Sequence, residues 1–130
     1  MYCERTDDFE VCVEPHYLQA QSDPSEGQYV WAYHVTIANN GVREARLMLR
    51  HWEITDADGR TEFVDGEGVV GETPLLAPGG QFEYSSGCPL RTPGGMMRGH
   101  YTMAGEDGGT FRISIPAFSL DVPSMARVLN

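Results

Sequence analysis

Apolar and polar residues alternate along most of the chain with the two-residue period of half-buried strands. In the first run Phe9, Val11 and Val13 share one face while Glu10, Cys12 and Glu14 share the other, and Pro15 is expected to end it. The longest run is Gln28 to Ala38, where Tyr29, Trp31, Tyr33, Val35 and Ile37 point one way. That is the pattern of a central strand laying a wide apolar face on a core. Asn39-Asn40-Gly41 offers residues that tolerate positive φ, so a tight hairpin is expected there, with Ala45 to Thr55 returning as the next strand. Asp56-Ala57-Asp58-Gly59 marks another hairpin, leading into Arg60 to Val64.

Asp65-Gly66-Glu67-Gly68-Val69-Val70-Gly71 is too rich in glycine to be expected as a regular element. After it comes Leu76-Ala77-Pro78-Gly79-Gly80-Gln81-Phe82, in which a leucine ends one buried strand, Pro-Gly makes a corner and an aromatic ring enters the opposite side of the core. This spacing is similar to that of fibronectin-like sandwiches. Gly99 to Ala104 and Thr110 to Ile115 complete the set, the last prolonged through Pro116 to Val122, and Gln21 to Gly27 reads as a polar surface loop. No stretch has a useful 3.6-residue period, and nothing divides the chain. The pattern predicts an all-β sandwich of immunoglobulin or fibronectin type III type, with seven to eight antiparallel strands spanning residues 9–123. Tails are expected at 1–8 and 124–130.

With 130 residues the chain is one domain in size, able to bury roughly two-thirds of its unfolded surface. No apolar run reaches the roughly 18 residues that cross a bilayer, and Met1 to Asp8 lacks the apolar core of a secretion signal, so a cytoplasmic location is expected. Cys3, Cys12 and Cys88 form neither an even set nor a C-x-x-C pair, so they are expected to be free thiols. Net charge is -10, and all nine basic residues are arginines that nowhere gather into a cluster. Nucleic acid and anionic membrane are therefore excluded as expected partners, whereas basic protein surfaces and cations are favoured.

Several motifs bear on chemistry. Gly66-x-Gly68-x-x-Gly71 matches the dinucleotide fingerprint letter for letter. The mechanism of that fingerprint needs a helix N-terminus after the loop, which Glu72-Thr73-Pro74 cannot continue, and Asp65, Glu67 and Glu72 would repel phosphate. A surface bend is expected instead. Asp56-x-Asp58-Gly59 opens like a calcium loop but has Arg60 at the fifth position and Thr61 where glycine is needed. His16, His34, His51 and His100 show no ligand spacing, so no bound metal and no cofactor are expected. Cys88, in Ser85-Ser86-Gly87-Cys88-Pro89, is expected at a strand-to-loop transition, without an evident catalytic partner. His51-Trp52 and Met96-Met97-Arg98 place aromatic, methionine and arginine side chains near turns, the residue types that interface cores favour.

Several segments in order resemble the ApaG family: Gln21-Ser22-Asp23-Pro24, Tyr29-Val30-Trp31-Ala32-Tyr33, Arg50-His51-Trp52-Glu53-Ile54-Thr55-Asp56, Gly66 to Glu72, Met97-Arg98-Gly99-His100-Tyr101 and Ile115-Pro116-Ala117-Phe118-Ser119-Leu120. The resemblance runs from about residue 9 to Pro123. It implies a fibronectin-like sandwich, and it implies protein interaction, because the same domain recurs at the C-terminal side of F-box and polymerase-associated proteins. It also links the chain to cobalt tolerance and magnesium efflux, and the glycine motif to pyrophosphate. No catalytic residue carries over. The binding residues expected are Gly66, Gly68, Gly71, His51, Trp52, Met97, Arg98 and His100, contacting an unidentified protein partner, with the chain a monomer or weak homodimer. A divalent-cation or pyrophosphate binder using the glycine loop is the alternative.

Overall fold

The computed structural model describes residues 1–123, so the tail expected at 124–130 lies outside the described residues. Among the described residues nine strands form in chain order: β1 Tyr2–Thr6, β2 Phe9–Tyr17, β3 Tyr29–Asn39, β4 Ala45–Asp56, β5 Thr61–Glu67, β6 Leu75–Leu76, β7 Gln81–Leu90, β8 Gly94–Gly105 and β9 Thr110–Asp121. They make two antiparallel sheets, one ordered β1-β2-β3-β7 and the other β5-β4-β8-β9, with the two-residue β6 also paired to β4. The expected all-β sandwich is what forms. Two single 3-10 turns, Gln19–Gln21 and Pro24–Glu26, occupy the polar loop before β3.

The alternating runs supply the core. Val11, Val13, Val35 and Ile37 from one sheet meet Leu47, Met103, Ile113 and Leu120 from the other, all almost fully buried. Tyr33, Trp52 and Phe118 form its aromatic centre, with Tyr33 and Trp52 rings 5.1 Å apart and Trp52 edge-on to Phe118 at 6.1 Å. Such tilted and edge-on pairs add to the stabilisation that their buried area provides.

Residues 1–8 are not a tail. Tyr2 to Thr6 pair with Val13 to Phe9, and the two-residue turn between them holds Asp7 in the left-handed region at φ 52°. This hairpin sets Cys3 directly opposite Cys12, Cα to Cα 4.1 Å, and the two are joined by a disulfide, which corrects the expectation of three free thiols. Nine residues of sequence separation say nothing of such a bridge until the turn is known. Cys88 alone is free, and it is buried.

Pro15 does not end β2, which runs on to Tyr17. Beyond Val13 the strand has lost β1 as a neighbour and pairs only with β3, so a residue without an N–H sits on an edge where none is needed. Edge position also admits Pro89 within β7, so Cys88 lies inside a strand and not at a loop. Likewise β8 begins at Gly94, five residues ahead of expectation, and β5 continues through Asp65, Gly66 and Glu67 into the glycine-rich stretch.

The hairpin expected at Asn39-Asn40-Gly41 does not exist, because β3 and β4 belong to different sheets. None of these three residues has positive φ. The Asn39 side chain turns inward, fully buried, donating to the carbonyls of Arg43 at 2.8 Å and Leu76 at 3.0 Å and accepting the Gly41 N–H at 3.0 Å. It ties the crossover to the end of β6. By contrast, Asp56 to Gly59 makes the expected hairpin, with the Asp56 carboxylate accepting the N–H groups of Asp58 and Arg60.

Candidate functional site

One irregularity in β4 decides what the second sheet displays. Leu47 pairs with Met103 and Leu49 with Thr102, so Met48 is an extra, bulged residue. A bulge shifts the alternation by one position. Ala45 and Leu47 face the core before it, whereas Trp52 is the core residue after it and Leu49, His51 and Glu53 turn outward. The bulged carbonyl of Met48 accepts the Gly68 N–H at 2.8 Å.

The glycine loop supports this arrangement. Gly66, in β5, leaves room for the Arg50 guanidinium, which would lie 2.6 Å from an added Cβ and which donates to the carbonyls of Glu67 at 2.8 Å and Gly68 at 3.0 Å. Gly68 has φ +59°, and a Cβ there would meet the Glu72 carbonyl oxygen at 2.0 Å. Val69 and Glu72 exchange both backbone hydrogen bonds, at 2.8 and 2.9 Å, around Val70 at φ 44° and Gly71 at φ 80°. Two left-handed central residues make this a type I′ turn. No helix starts at Val69, so the fingerprint shapes a surface bend, as expected from the residues that follow it.

On the outward face of this sheet the polar side chains form a chain of contacts. His51 on β4 pairs in the ladder with Asp65 on β5 and with His100 on β8. Its Nδ1 lies 2.6 Å from Asp65 and its Nε2 3.1 Å from Glu53, and Glu53 accepts from Arg98 Nε at 3.0 Å and Nη2 at 2.9 Å. Ionised carboxylates only accept, so the two contacts are both satisfied when each imidazole nitrogen donates, and they favour the protonated ring. The Asp65 hydrogen bond, joined by that of Glu53, raises the His51 pKa above its ordinary value. The His51 and Arg98 contacts lower that of Glu53. The His51 ring stacks on His100 at 4.7 Å and lies 6.0 Å from Phe63. Burial, then the nearby positive charges of Arg112 and His51, lowers the His100 pKa. The two stacked rings are thus pushed in opposite directions, His51 toward its protonated form and His100 toward its neutral one.

Around this network Leu49, Phe63 and Met96 stand exposed, at 46%, 63% and 53%. Of the expected binding residues, the structure brings His51, Arg98 and His100 together on this face and puts Gly66, Gly68 and Gly71 at its edge. Trp52 and Met97 are corrected: they are 2% and 1% exposed, pointing into the core, because they alternate with His51 and Arg98 along their strands. Met96, singled out with Met97 and Arg98, does stand exposed on this face, whereas Glu53, Phe63, Asp65 and Leu49 were missed. The signal was present for most of them, since the Asp56 to Gly59 hairpin with Thr55 opposite Thr61 sets His51 opposite Asp65 and Glu53 opposite Phe63. Cys88, 3% exposed, has its thiol pushed up to about 11 by burial, which removes the thiolate a nucleophile needs. Among the described residues no group of three or more His, Cys, Asp or Glu side chains is arranged to hold a metal ion. No helix among them is long and apolar enough to cross a membrane.

Comparison with known proteins agrees with this architecture. The ApaG domain family model matches residues 19–105. Over its full length the chain is 56% identical to the Protein ApaG of Sinorhizobium fredii and to that of Brucella suis, covering all of each. A crystal structure of the ApaA protein from Bordetella pertussis superposes with a TM-score of 0.87 at 53% identity, covering 89% of this chain and 94% of that one. The C-terminal domain of Wzt, 9% identical with a TM-score of 0.57, shares the fold alone, covering 92% of this chain and 76% of that one. The family match spans most of the sandwich and the full-length relatives span the rest, so the chain belongs to the ApaG family.

Proposed function

We propose that this chain is a non-catalytic protein-interaction module, acting in the cytoplasm, whose contact surface is the outer face of the β5-β4-β8-β9 sheet. The observation that carries the reading is the exposure of Leu49, Phe63 and Met96 around the His51–His100 stack, on a sheet face that no other layer covers among the described residues. Phenylalanine, methionine and arginine are the residue types that interface centres enrich. Asp65 and Glu67 on β5 give the face a carboxylate rim, and the chain as a whole carries -10. The partner that fits is a protein with an apolar patch rimmed by lysine or arginine, which the net charge would steer into contact. The link to cobalt tolerance and magnesium efflux that the family carries would then operate through that partner.

A pyrophosphate or cation site in the glycine loop has less behind it. The loop closes a type I′ turn and directs the Arg50 guanidinium to its own carbonyls. The test is recovery of partners by the tagged full chain from its own cell. Replacing both Phe63 and Met96 by aspartate should abolish recovery while circular dichroism and melting temperature stay as in the parent. An unchanged set of recovered proteins would refute the siting.

A further inference from the structure

The two sheets are stitched together along one side by β1. Although β1 pairs with β2, Tyr2 reaches across to the other sheet, its ring 5.9 Å from Phe118 and its hydroxyl 3.3 Å from Ser119 Oγ, and at the far end Thr6 Oγ1 accepts the Ser114 N–H at 2.9 Å. Yet β1 buries almost nothing, with four of its five residues exposed and Thr6 only half-buried. An edge strand of five residues without an apolar face is among the first elements of a sandwich to open. What distinguishes it is the covalent link between Cys3, which is exposed, and Cys12, which is half-buried.

We propose that the Cys3–Cys12 bridge is a reversible thiol–disulfide exchange site, taking low-molecular-weight thiols as its reactant, and that its oxidation state sets whether β1 stays clamped across the sandwich. A thiolate of the small thiol attacks the exposed Cys3 Sγ, the Cys3–Cys12 bond breaks, and Cys12 leaves as a thiolate that takes up a proton. A second small thiolate then attacks the mixed disulfide at its own sulfur, releasing Cys3 as a thiolate that is protonated in turn. The protein gains two electrons and two protons, and the two small thiols leave joined as their disulfide. The reverse sequence, with the small disulfide as oxidant, closes the bridge. Cys88 takes no part, being buried inside β7.

Opening β1 has two structural consequences. It bares the β2 edge from Phe9 to Val13. It also removes Tyr2 from one wall of a cleft of about 480 Å³ that Tyr17, Trp31, Ser119 and Asp121 help to line. Trp31 in that wall has an indole N–H with no hydrogen-bond partner among the described residues. Exchange at Cys3 therefore controls access to an aromatic cleft between the two sheets, lined by β2 and β3 on one side and by the end of β9 on the other.

The experiment equilibrates the full chain in glutathione buffers graded from oxidised to reduced, alkylates it and counts modified cysteines by intact mass. The native protein should pass from no labelled site to two, with Cys88 labelled only after denaturation. Hydrogen–deuterium exchange on the two forms should show amides of Tyr2 to Thr6 exchanging at least about tenfold faster in the reduced form, with β3 and β8 unchanged. Cys3→Ser and Cys12→Ser should each exchange like the reduced form in every buffer. A bridge that stays closed in the most reducing buffer, thiols that stay free in the most oxidising one, or β1 exchange that is equal in both forms would each overturn the proposal.

Discussion

Replacing Gly68 and Gly71 separately by alanine distinguishes a turn that props a bulge from a loop that grips phosphate. Both residues have positive φ, +59° and +80°, so each substitution costs about 1 kcal/mol for placing a Cβ in the left-handed region. At Gly71 nothing lies within 4 Å of the new atom, and the penalty stops there. At Gly68 the Cβ would sit 2.0 Å from the Glu72 carbonyl oxygen, so that carbonyl must move by about an ångström. Its bond from Val69 N–H and the Gly68 N–H bond to Met48 are then lost or bent, at about 1 kcal/mol each. Gly68→Ala should therefore destabilise by about 3 kcal/mol, a fall of roughly 10 °C in melting temperature, and Gly71→Ala by about 1 kcal/mol. Urea unfolding with unchanged m-value measures both. Equal penalties at the two sites, or a larger one at Gly71, would refute the geometry on which the bulge and the outward face of β4 depend.

The remaining predictions concern the same two sheets. Val70, a β-branched residue at φ 44°, is strained, so Val70→Gly or Val70→Asn should raise stability by about 1 kcal/mol in the same urea assay. Trp52→Ala should cost about 3–5 kcal/mol and abolish the native near-ultraviolet spectrum, while Phe63→Ala should change stability by less than about 0.5 kcal/mol. NMR titration should find His51 protonating above the ordinary histidine value and His100 below it, and Asp65→Asn should bring His51 down. His51, with its folded pKa raised, lends stability that is complete below the unfolded value of about 6.5 and is lost as pH rises through the folded one. His100, with its folded pKa lowered, withdraws stability as pH falls from about 6.5 through its own value, so the sum of the two is greatest between them. Asn39→Ala leaves the buried carbonyl of Leu76 and the part-buried one of Arg43 without this donor and should destabilise by about 2–3 kcal/mol, read by urea unfolding.

Period-two alternation in Phe9 to Val13 and Tyr29 to Ile37 was enough to name strands, core faces and a sandwich, because a pleated strand with one buried side leaves that record in any chain that carries it. The Asp56 hairpin was equally legible, its carboxylate being able to cap its own turn. Elsewhere the same local chemistry served a different end. Asn39-Asn40-Gly41 looks like a hairpin, yet Asn39 spends its side chain on the crossover and on β6, a partner 37 residues away. Pro15 and Pro89 were compatible with strands only because their neighbours left an edge open.

The candidate site shows the division most clearly. Sequence placed His51 beside Trp52, and nothing in that dipeptide says which faces solvent. The extra residue at Met48, held by the Gly68 N–H, made the choice, sending Trp52 into the core and His51 between Asp65 and His100. The Cys3–Cys12 bridge likewise waited on a turn at Asp7. Alternation is a property of neighbours along the chain and is written into the sequence. Phase, pairing and edge are relations between strands far apart in sequence, and they exist only once the two sheets have closed on one another.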